Sequence, residues 1–422
     1  GSKNLHIAFF SNTYLPVVSG VVRSIEAFRQ AITNLGHNVF VFAPRAQGYE
    51  DKAPFIFRYP SLEIGLGYDM PMAIPVSHFV NQLLPSLKLD VIHSHHPFLL
   101  GETAAEKAVK LNVPLVFTFH TRYREYSHYV GLDQNLVKEV IHHWLSDYLR
   151  KCHHVIVPSQ SIKQMLADEY GITRQVSVIP TGIDLSPYDQ ADGQAVRTAR
   201  GWGDDTVLIS VSRLAQEKNW GTLLRAVARV FSRREGVRLV AIGDGVERQA
   251  IEKLARELGI ADRVDFIGKV PFTEVPNYLR AADLFCFASV TETQGLVTLE
   301  AMAAGLPVVA VNASGTGDAV EHGRQGLLTP NDSEALAQAI EQLLDNPAQL
   351  AEFSQAARKQ AESFSLPRQA EKMLTAYRQA IEDHQAGRFV PAPKPKGILK
   401  TILNGEAWQK LLGLDENQGG RV

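Results

Sequence analysis

Two carboxylates and a glycine stand together in the stretch TETQGLVTLEAMAAG, residues 291–305. Seven residues separate Glu292 from Glu300, and Gly295 stands where an apolar strand ending near Ser289 gives way to a helix. The N–H groups and positive dipole end of such a helix suit a diphosphate. Carboxylates suit sugar hydroxyls, because they accept hydrogen bonds and donate none. The pattern predicts a sugar-nucleotide site; the alternative is a helix-start acid followed by a solvated helix residue.

Two cations lie five positions apart in VSRLAQEKN, the loop that follows a predicted strand at 206–212. Arg213 and Lys218 could neutralise the negative charge that develops on a departing nucleoside diphosphate. The alternative is a pair of solvated loop cations.

Gly20 and four histidines also stand at predicted strand ends. Gly20, between a strand and a helix, would let the backbone approach a ligand closely, or it simply makes the turn. The histidines have no carboxylate or cysteine at a ligand spacing, so we expect no metal site and activity that survives EDTA. Packing or capping is the alternative role for the group, which comprises His93, His95, His96 and His120.

The sequence IGDG at 242–245 invites a dinucleotide-binding interpretation. The third glycine of that motif is replaced by Arg248, and the preceding strand is not the first of its domain. NAD binding is therefore excluded.

Short apolar runs alternate with helical stretches in both halves of the chain. This alternation predicts an α/β protein with two Rossmann-like, doubly wound domains. We place the domains at 1–185 and 186–366, with a helix at 367–385 that could return to the N-terminal domain. The Pro- and Lys-rich spacer and tail occupy 386–422. The polar stretch from 185 to 203 is expected to be the linker.

Composition excludes several classes of partner. The chain has 422 residues, with 43 Lys and Arg against 45 Asp and Glu, so no net positive field favours nucleic acid or an anionic membrane. No apolar run reaches the length of a membrane span. Cys152 and Cys286 are the two cysteines and lie outside any CxxC spacing, which favours a reducing cytoplasm.

The E-x7-E stretch resembles the motif of the retaining family-4 glycosyltransferases. The resemblance covers nearly the whole chain to about Glu382. It implies the GT-B fold, in which two Rossmann-like domains face each other across a cleft. The N-terminal domain would then bind the acceptor and the C-terminal domain the nucleotide sugar, with UDP-glucose as the commonest donor and no other cofactor.

The resemblance also implies roles for individual residues. Glu292 would contact the donor sugar and Glu300 the ribose, while His120 in TFHT would support the transferred glycosyl group. Arg213 and Lys218 would stabilise the leaving group. The remaining donor-binding positions would be Gly20, Val270, Gln294, Gly295, Leu296 and Val297. Gln294 departs from the aromatic residue usual before the glycine, a departure found in glycolipid-synthesising subgroups.

Two acceptors compete. The segment FHTRYREYSHY at 119–129 resembles glucosyldiacylglycerol synthases, yet Arg122 and Arg124 could form a fork for a phosphate, unless they face solvent or pair with Glu125. His95 is a further acceptor-binding candidate.

Because the net charge of -2 offers an anionic bilayer nothing, the sequence favours fructose 6-phosphate, as in sucrose-phosphate synthases. The alternative is transfer to diacylglycerol, under which membrane association is expected and the tail would contribute apolar and lysine side chains. A sugar-nucleotide epimerase and a non-catalytic sensor are less favoured.

Overall fold

The computed structural model describes residues 3–17, 19–62, 72–120, 134–292 and 295–394. Contacts divide the chain into two units. Unit 1 comprises Gly1–Pro158, Ile162–Ile179 and Met373–Val422, and unit 2 comprises Ser159–Ser161 and Pro180–Lys372. Within the described ranges, no helix has both the length and the apolar character needed to cross a membrane.

Unit 1 contains a parallel sheet of seven described strands and a short antiparallel hairpin. In chain order the strands are β1 (His6–Phe10), β2 (Asn38–Pro44), β3 (Ile56–Tyr59), the hairpin pair β4 (Ser61–Leu62) and β5 (Met72–Ala73), β6 (Val91–Ser94), β7 (Leu115–Thr118), β8 (His154–Val157) and β9 (Val176–Val178). The sheet order is β3-β2-β1-β6-β7-β8-β9. The order reverses between β1 and β6, which makes their carboxyl ends the switch point where ligands bind in such sheets.

Helices connect these strands in unit 1. They are α1 (Gly20–Asn34), α2 (His78–Leu83), α3 (Leu100–Leu111), α4 (Gln134–Leu149) and α5 (Gln160–Tyr170). The Ser19 hydroxyl caps α1 by accepting from the Val22 N–H, and Ser77 caps α2 in the same way. The strands are mostly apolar because helices cover both faces of a parallel sheet.

Unit 2 contains a second parallel sheet, in the order β12-β11-β10-β13-β14-β15. Its strands are β10 (Thr206–Val211), β11 (Val237–Ile242), β12 (Val264–Gly268), β13 (Leu284–Phe287), β14 (Val308–Val311) and β15 (Gly326–Thr329). Leu208 and Leu239 belong to one buried cluster and Ile209 and Val240 to another, as expected for a sheet with a core on each face. The switch point lies between β10 and β13. The predicted α/β class, with parallel sheets in both halves, is confirmed.

Nine described helices lie wholly within unit 2. They are α6 (Ser186–Asp189), α7 (Gly193–Arg200), α8 (Trp220–Arg233), α9 (Arg248–Glu257), α10 (Val275–Ala281), α11 (Leu296–Ala303), α12 (Ser314–Ala319), α13 (Ser333–Asp345) and α14 (Pro347–Ser363). The last described helix, α15 (Leu366–Gln385), begins in unit 2 and ends among the residues of unit 1.

The stretch expected to be a linker is helical and packs within unit 2. Arg197 in α7 donates to the carbonyl of Ala281 and to the carboxylate of Asp283, each at 2.8 Å. Trp202 is 2% exposed. The linker prediction was therefore wrong, because a surface helix without buried residues of its own has the composition of a linker.

The described part of the predicted spacer also packs against its unit. The Val390 N–H donates to the Cys152 carbonyl at 2.9 Å, and the Val390 side chain is buried in the core of unit 1. These contacts overturn the expectation of a free spacer for the residues up to 394. The tail from 395 to 422 lies outside the described residues.

Candidate active site

A partly buried ion pair joins the two loops at the switch point of unit 2. Lys218 follows β10 and Glu292 follows β13, and these two strands are neighbours in the sheet. The Lys218 ammonium lies 2.8 Å from Oε1 of Glu292, and the two side chains are 15% and 13% exposed. Two residues that the sequence analysis chose separately are therefore in direct contact.

Arg213 lies in the same loop as Lys218 but faces solvent. Its side chain is 73% exposed and contacts the Glu217 carboxylate at 3.1 Å. The backbone of the loop is fixed, because the Arg213 carbonyl accepts a hydrogen bond from the indole N–H of Trp220 at 3.0 Å. Arg213 can therefore turn toward a ligand without a change in the loop that carries it.

The glycines of IGDG shape this loop. A Cβ at Gly243, whose φ is +135°, would lie 1.8 Å from the Ser212 carbonyl oxygen, and one at Gly245 would lie 2.4 Å from that of Leu214. The Leu214 N–H donates to the Asp244 carbonyl at 3.0 Å. These glycines allow the Arg213 loop to pack closely against its neighbour.

The helix α11 begins beside Glu292. Gly295 has a φ of +65°, and a Cβ there would lie 2.7 Å from the Gly315 carbonyl oxygen, so both conformation and space require glycine. Leu296 and Val297 follow at the start of α11, where N–H groups have no acceptor within the helix. Glu300 lies one turn further on and is 9% exposed. Gln294 lies outside the described residues.

The sequence analysis missed the segment at the start of α12. The Gly315 N–H donates to the Glu292 carbonyl at 2.9 Å, so this segment supports the backbone of the predicted sugar-binding acid. The hydroxyl of Thr316 is buried and has no hydrogen-bond partner within the described part of the chain. The signal that could have found it is the run of small residues directly after the apolar strand β14, the same signal that identified Gly295.

Val270 lies after β12, at the edge of an open cavity of about 500 Å³ that also contacts Pro271 and Phe272. The Phe272 side chain is 62% exposed. The role of the Val270 backbone in holding a base stays a prediction.

In unit 1, Gly20 is the first residue of α1, at the end of the loop after β1. A Cβ at Gly20 would meet no heavy atom within 4 Å, and its φ lies outside the left-handed region. The packing among the described residues therefore does not require a glycine here, and the close approach of a ligand at Gly20 stays a prediction.

Three of the predicted histidines form a stack at the carboxyl ends of β6 and β7. The rings of His93 and His95 are 4.2 Å apart, and those of His95 and His120 are 5.2 Å apart. His95 Nδ1 lies 2.9 Å from His120 Nε2, while His96 Nδ1 accepts from the Asn12 N–H at 3.2 Å. His95 is only 2% exposed, and its direct contact with an acceptor stays a prediction.

Burial keeps these imidazoles neutral. Desolvation lowers the pKa of His120 to about 3, with a smaller contribution from His96. Burial, together with the neighbouring imidazoles, places the pKa of His93 and of His95 well below the usual value. At neutral pH each ring therefore carries a single N–H.

The remaining acceptor candidates, Arg122 and Arg124, lie outside the described residues. Among the residues that the structure describes, no group of three or more His, Cys, Asp or Glu side chains is arranged to hold a metal ion.

Two Rossmann-like units with predicted donor-binding groups at a strand switch point define an α/β glycosyltransferase of the GT-B fold. Family models support this class: the model "Glycosyltransferase Family 4" matches residues 18–187, and "Glycosyl transferases group 1" matches residues 194–360. The chain belongs to this glycosyltransferase family.

Similar proteins agree with this assignment. The chain is 31% identical over 401 residues to an alpha-monoglucosyldiacylglycerol synthase of Acholeplasma laidlawii, covering 90% of this chain and 98% of that protein. A protein of the same name from Streptococcus pneumoniae is 33% identical, over 72% of this chain and 71% of that protein. Among solved structures, a sucrose-phosphate synthase from Thermosynechococcus elongatus is similar in fold, with a TM-score of 0.70, 23% identity, and coverage of 90% of this chain and 100% of that one.

We predict that Arg213→Ala lowers kcat by about 100-fold or more with little loss of stability, because it removes an exposed cation that acts on developing charge. Lys218→Ala should lower kcat as well and should also destabilise unit 2, since it leaves the Glu292 carboxylate without its ammonium partner. Steady-state kinetics and thermal unfolding of the same preparations check both statements.

Glu217→Gln is the matched control for Arg213. It removes the ion-pair partner of Arg213 but keeps the cation, so near-normal turnover is expected. Full activity of Arg213→Ala would contradict the assigned role.

We predict that Gly20→Ala leaves the free protein as stable as before or up to about 1 kcal/mol more stable, because alanine favours a helix and the site has room for a methyl group. The same methyl group should reduce affinity for the sugar nucleotide. Differential scanning fluorimetry with and without UDP-glucose measures both effects. An unchanged ligand-induced shift in Tm would indicate that Gly20 only makes a turn.

Proposed function

We propose that this glycosyltransferase moves a glucosyl group from UDP-glucose to diacylglycerol, with retention of the anomeric configuration. The observation that carries the transfer chemistry is the contact between Lys218 and Glu292 beside the exposed Arg213. The choice of acceptor is supported by the full-length similarity to a glucosyldiacylglycerol synthase.

In the proposed reaction, unit 2 binds the donor. The N–H groups at the start of α11 and the cations of Arg213 and Lys218 neutralise the diphosphate. Glu292 accepts hydrogen bonds from sugar hydroxyls, and Glu300 accepts from the ribose. Lys218 and Glu292 are already held together by their ion pair. An incoming diphosphate would therefore meet Lys218, and the sugar would meet Glu292, with both side chains in place.

The chemical step exchanges one glycosidic bond for another. The bond between the sugar C1 and the UDP phosphate oxygen breaks, and a bond forms between C1 and the diacylglycerol hydroxyl oxygen on the same face. The hydroxyl proton passes to the departing phosphate oxygen, which gives glucosyldiacylglycerol and UDP. We propose that no metal participates, because Arg213 and Lys218 supply the positive charge that this step requires.

An exposed apolar surface on unit 1 supports a lipid acceptor. We name it the hairpin patch, and it comprises four side chains of the β4–β5 hairpin and the segment entering α2. Their exposed fractions are 57% for Leu62, 41% for Met72, 69% for Val76 and 64% for Phe79. Leu62 and Met72 are paired across the hairpin, and Val76 and Phe79 follow Met72 within seven residues. Exposed apolar side chains that form one surface are typical of protein or membrane contact.

Two lysines lie near α2. The Lys107 ammonium lies 2.7 Å from the Asn81 side chain of α2, and the exposed Lys88 follows the short 3-10 helix Leu84–Leu87 that succeeds α2. Lysines next to apolar side chains favour the surface of an anionic bilayer. A lipid acceptor could then reach the enzyme from the membrane.

The preference for fructose 6-phosphate has less support. It depended on the overall net charge and on Arg122 and Arg124, which lie outside the described residues. The sucrose-phosphate synthase structure, at 23% identity, supports the fold alone. The exposed apolar side chains of the hairpin patch match the apolar chains of a diacylglycerol better than they match a sugar phosphate.

We predict glucosyl transfer to diacylglycerol in vesicles that contain phosphatidylglycerol, measured with labelled UDP-glucose in a buffer with EDTA. Fructose 6-phosphate in a parallel reaction should give no sucrose 6-phosphate. The anomeric proton coupling of the purified glycolipid distinguishes retention from inversion. Sugar-phosphate transfer without any glycolipid would overturn the proposed acceptor, and a converted sugar nucleotide without an acceptor would indicate an epimerase.

We predict that the double variant Val76→Ser/Phe79→Ser binds anionic vesicles about tenfold more weakly than the wild type, because it lacks exposed apolar area that the bilayer would bury. Vesicle sedimentation and transfer to vesicle-borne diacylglycerol should both decline. Transfer to a water-soluble, short-chain diacylglycerol should not.

Val109→Ser is the matched control, because Val109 is 82% exposed on α3 of the same unit but outside the hairpin patch. Equal losses in the control and in the double variant would argue against a specific membrane surface.

A further inference from the structure

His95 occupies the middle of the imidazole stack and is held from several sides. The backbone N–H of His95 donates to the Phe10 carbonyl at 3.0 Å, which continues the pairing of β6 with β1. The Phe9 ring contacts the His95 ring edge-on, with centroids 4.8 Å apart. The position and tilt of the His95 ring are therefore fixed by the core of unit 1.

The first ring of the stack, His93, has both nitrogens occupied. Its Nδ1 lies 2.6 Å from the Tyr377 hydroxyl, contributed by α15, and its Nε2 lies 2.5 Å from the Thr118 hydroxyl. His93 therefore has no nitrogen left to bond His95. Its ring has a fixed position, and the His95 ring stacks against it.

The two nitrogens of His95 have unequal surroundings. Nδ1 lies 2.9 Å from His120 Nε2, while Nε2 is buried and has no hydrogen-bond partner among the residues that the structure describes. A buried N–H donor without an acceptor is rarer than a buried acceptor without a donor. The proton of the neutral ring therefore belongs on Nδ1, from which it is donated to His120.

This proton assignment determines the form of His120. A neutral imidazole that accepts at Nε2 carries its own proton on Nδ1. Among the described residues, the structure gives Nδ1 of His120 no partner, and the residue is only partly buried, so this N–H is open to a ligand.

We infer that His95 is a positioning residue, which donates its Nδ1 proton to Nε2 of His120 and thereby holds His120 in the tautomer that presents Nδ1–H to an oxygen of the sugar substrate. The inference rests on the proposed role of His120 at the transferred glucosyl group. It assigns to His95 a task other than direct contact with an acceptor.

The first test needs no variant and no activity. Long-range ¹H–¹⁵N correlation spectra of the full chain labelled with ¹⁵N-histidine distinguish the two tautomers, with His120→Gln and His95→Asn used to assign signals. His120 is expected as the Nδ1–H form and His95 likewise. A His120 ring protonated on Nε2 would overturn the inference, whatever the acceptor proves to be.

Two substitutions separate hydrogen bonding from packing. His95→Phe keeps an aromatic ring in the stack but removes the donor, whereas His95→Asn places an amide nitrogen on Cγ, the atom that bears Nδ1. We expect His95→Phe to lower kcat by about 10- to 100-fold, with a mixed His120 tautomer, and His95→Asn to recover a substantial part of both. If His95→Phe were active and His95→Asn inactive, His95 would contribute only packing.

Tyr377→Phe serves as the control for general damage to the stack. It removes a hydrogen bond to His93 but leaves the contact between His95 and His120, so Tm should fall while the His120 tautomer and kcat stay close to wild type. A changed tautomer in His95→Phe with unchanged kcat would overturn the positioning role, while loss of transfer in His120→Ala would still support the proposed site.

Discussion

The ion pair between Lys218 and Glu292 is the interaction on which the proposed donor site of unit 2 depends. Both side chains are largely removed from water, so each charge is stabilised by the other. The pair fixes the distance between the loop after β10 and the loop after β13. A sugar nucleotide that brings hydroxyls to Glu292 and phosphates to Lys218 compensates both charges without leaving either buried alone.

Glycines make this arrangement possible by letting backbones meet. Gly243 lies under the Arg213 loop, and Gly295 lies against Gly315 next to Glu292, each at a separation that a Cβ would prevent. Both have positive φ values. The loops that carry the charged side chains are therefore packed closely against neighbouring backbone. This packing keeps the reorganisation required on ligand binding small.

Much of the fold and of the site could be predicted, because apolar runs mark strands and parallel strands place their following loops at one edge. This rule placed Glu292, Arg213 and Gly20 in the segments that follow strands, and the structure confirms those positions. The contact between Lys218 and Glu292 could not be predicted, because the residues are 74 positions apart and the adjacency of β10 and β13 depends on a crossover. The tautomer of His120 was also beyond prediction, since it depends on which nitrogen of a buried neighbour lacks a partner.

The argument from net charge to a soluble acceptor is weak for a physical reason. A net charge of -2 averages over the whole surface, whereas a bilayer contacts only one part of it. Exposed apolar side chains with lysines nearby are a local feature. The apolar side chains come from the short hairpin, the segment entering α2 and α2 itself. The pattern of residue types did not reveal that these elements are exposed.

The neutrality of the imidazole stack acquires a meaning in the proposed reaction. Glycosyl transfer passes through a state in which the sugar ring carries positive charge. A protonated His120 beside that ring would oppose it, and the repulsion would be strong in a site from which water is excluded. Burial prevents protonation of His120 down to a pKa of about 3. In the proposed reaction, His120 would thus offer the sugar a hydrogen-bond donor that carries no charge.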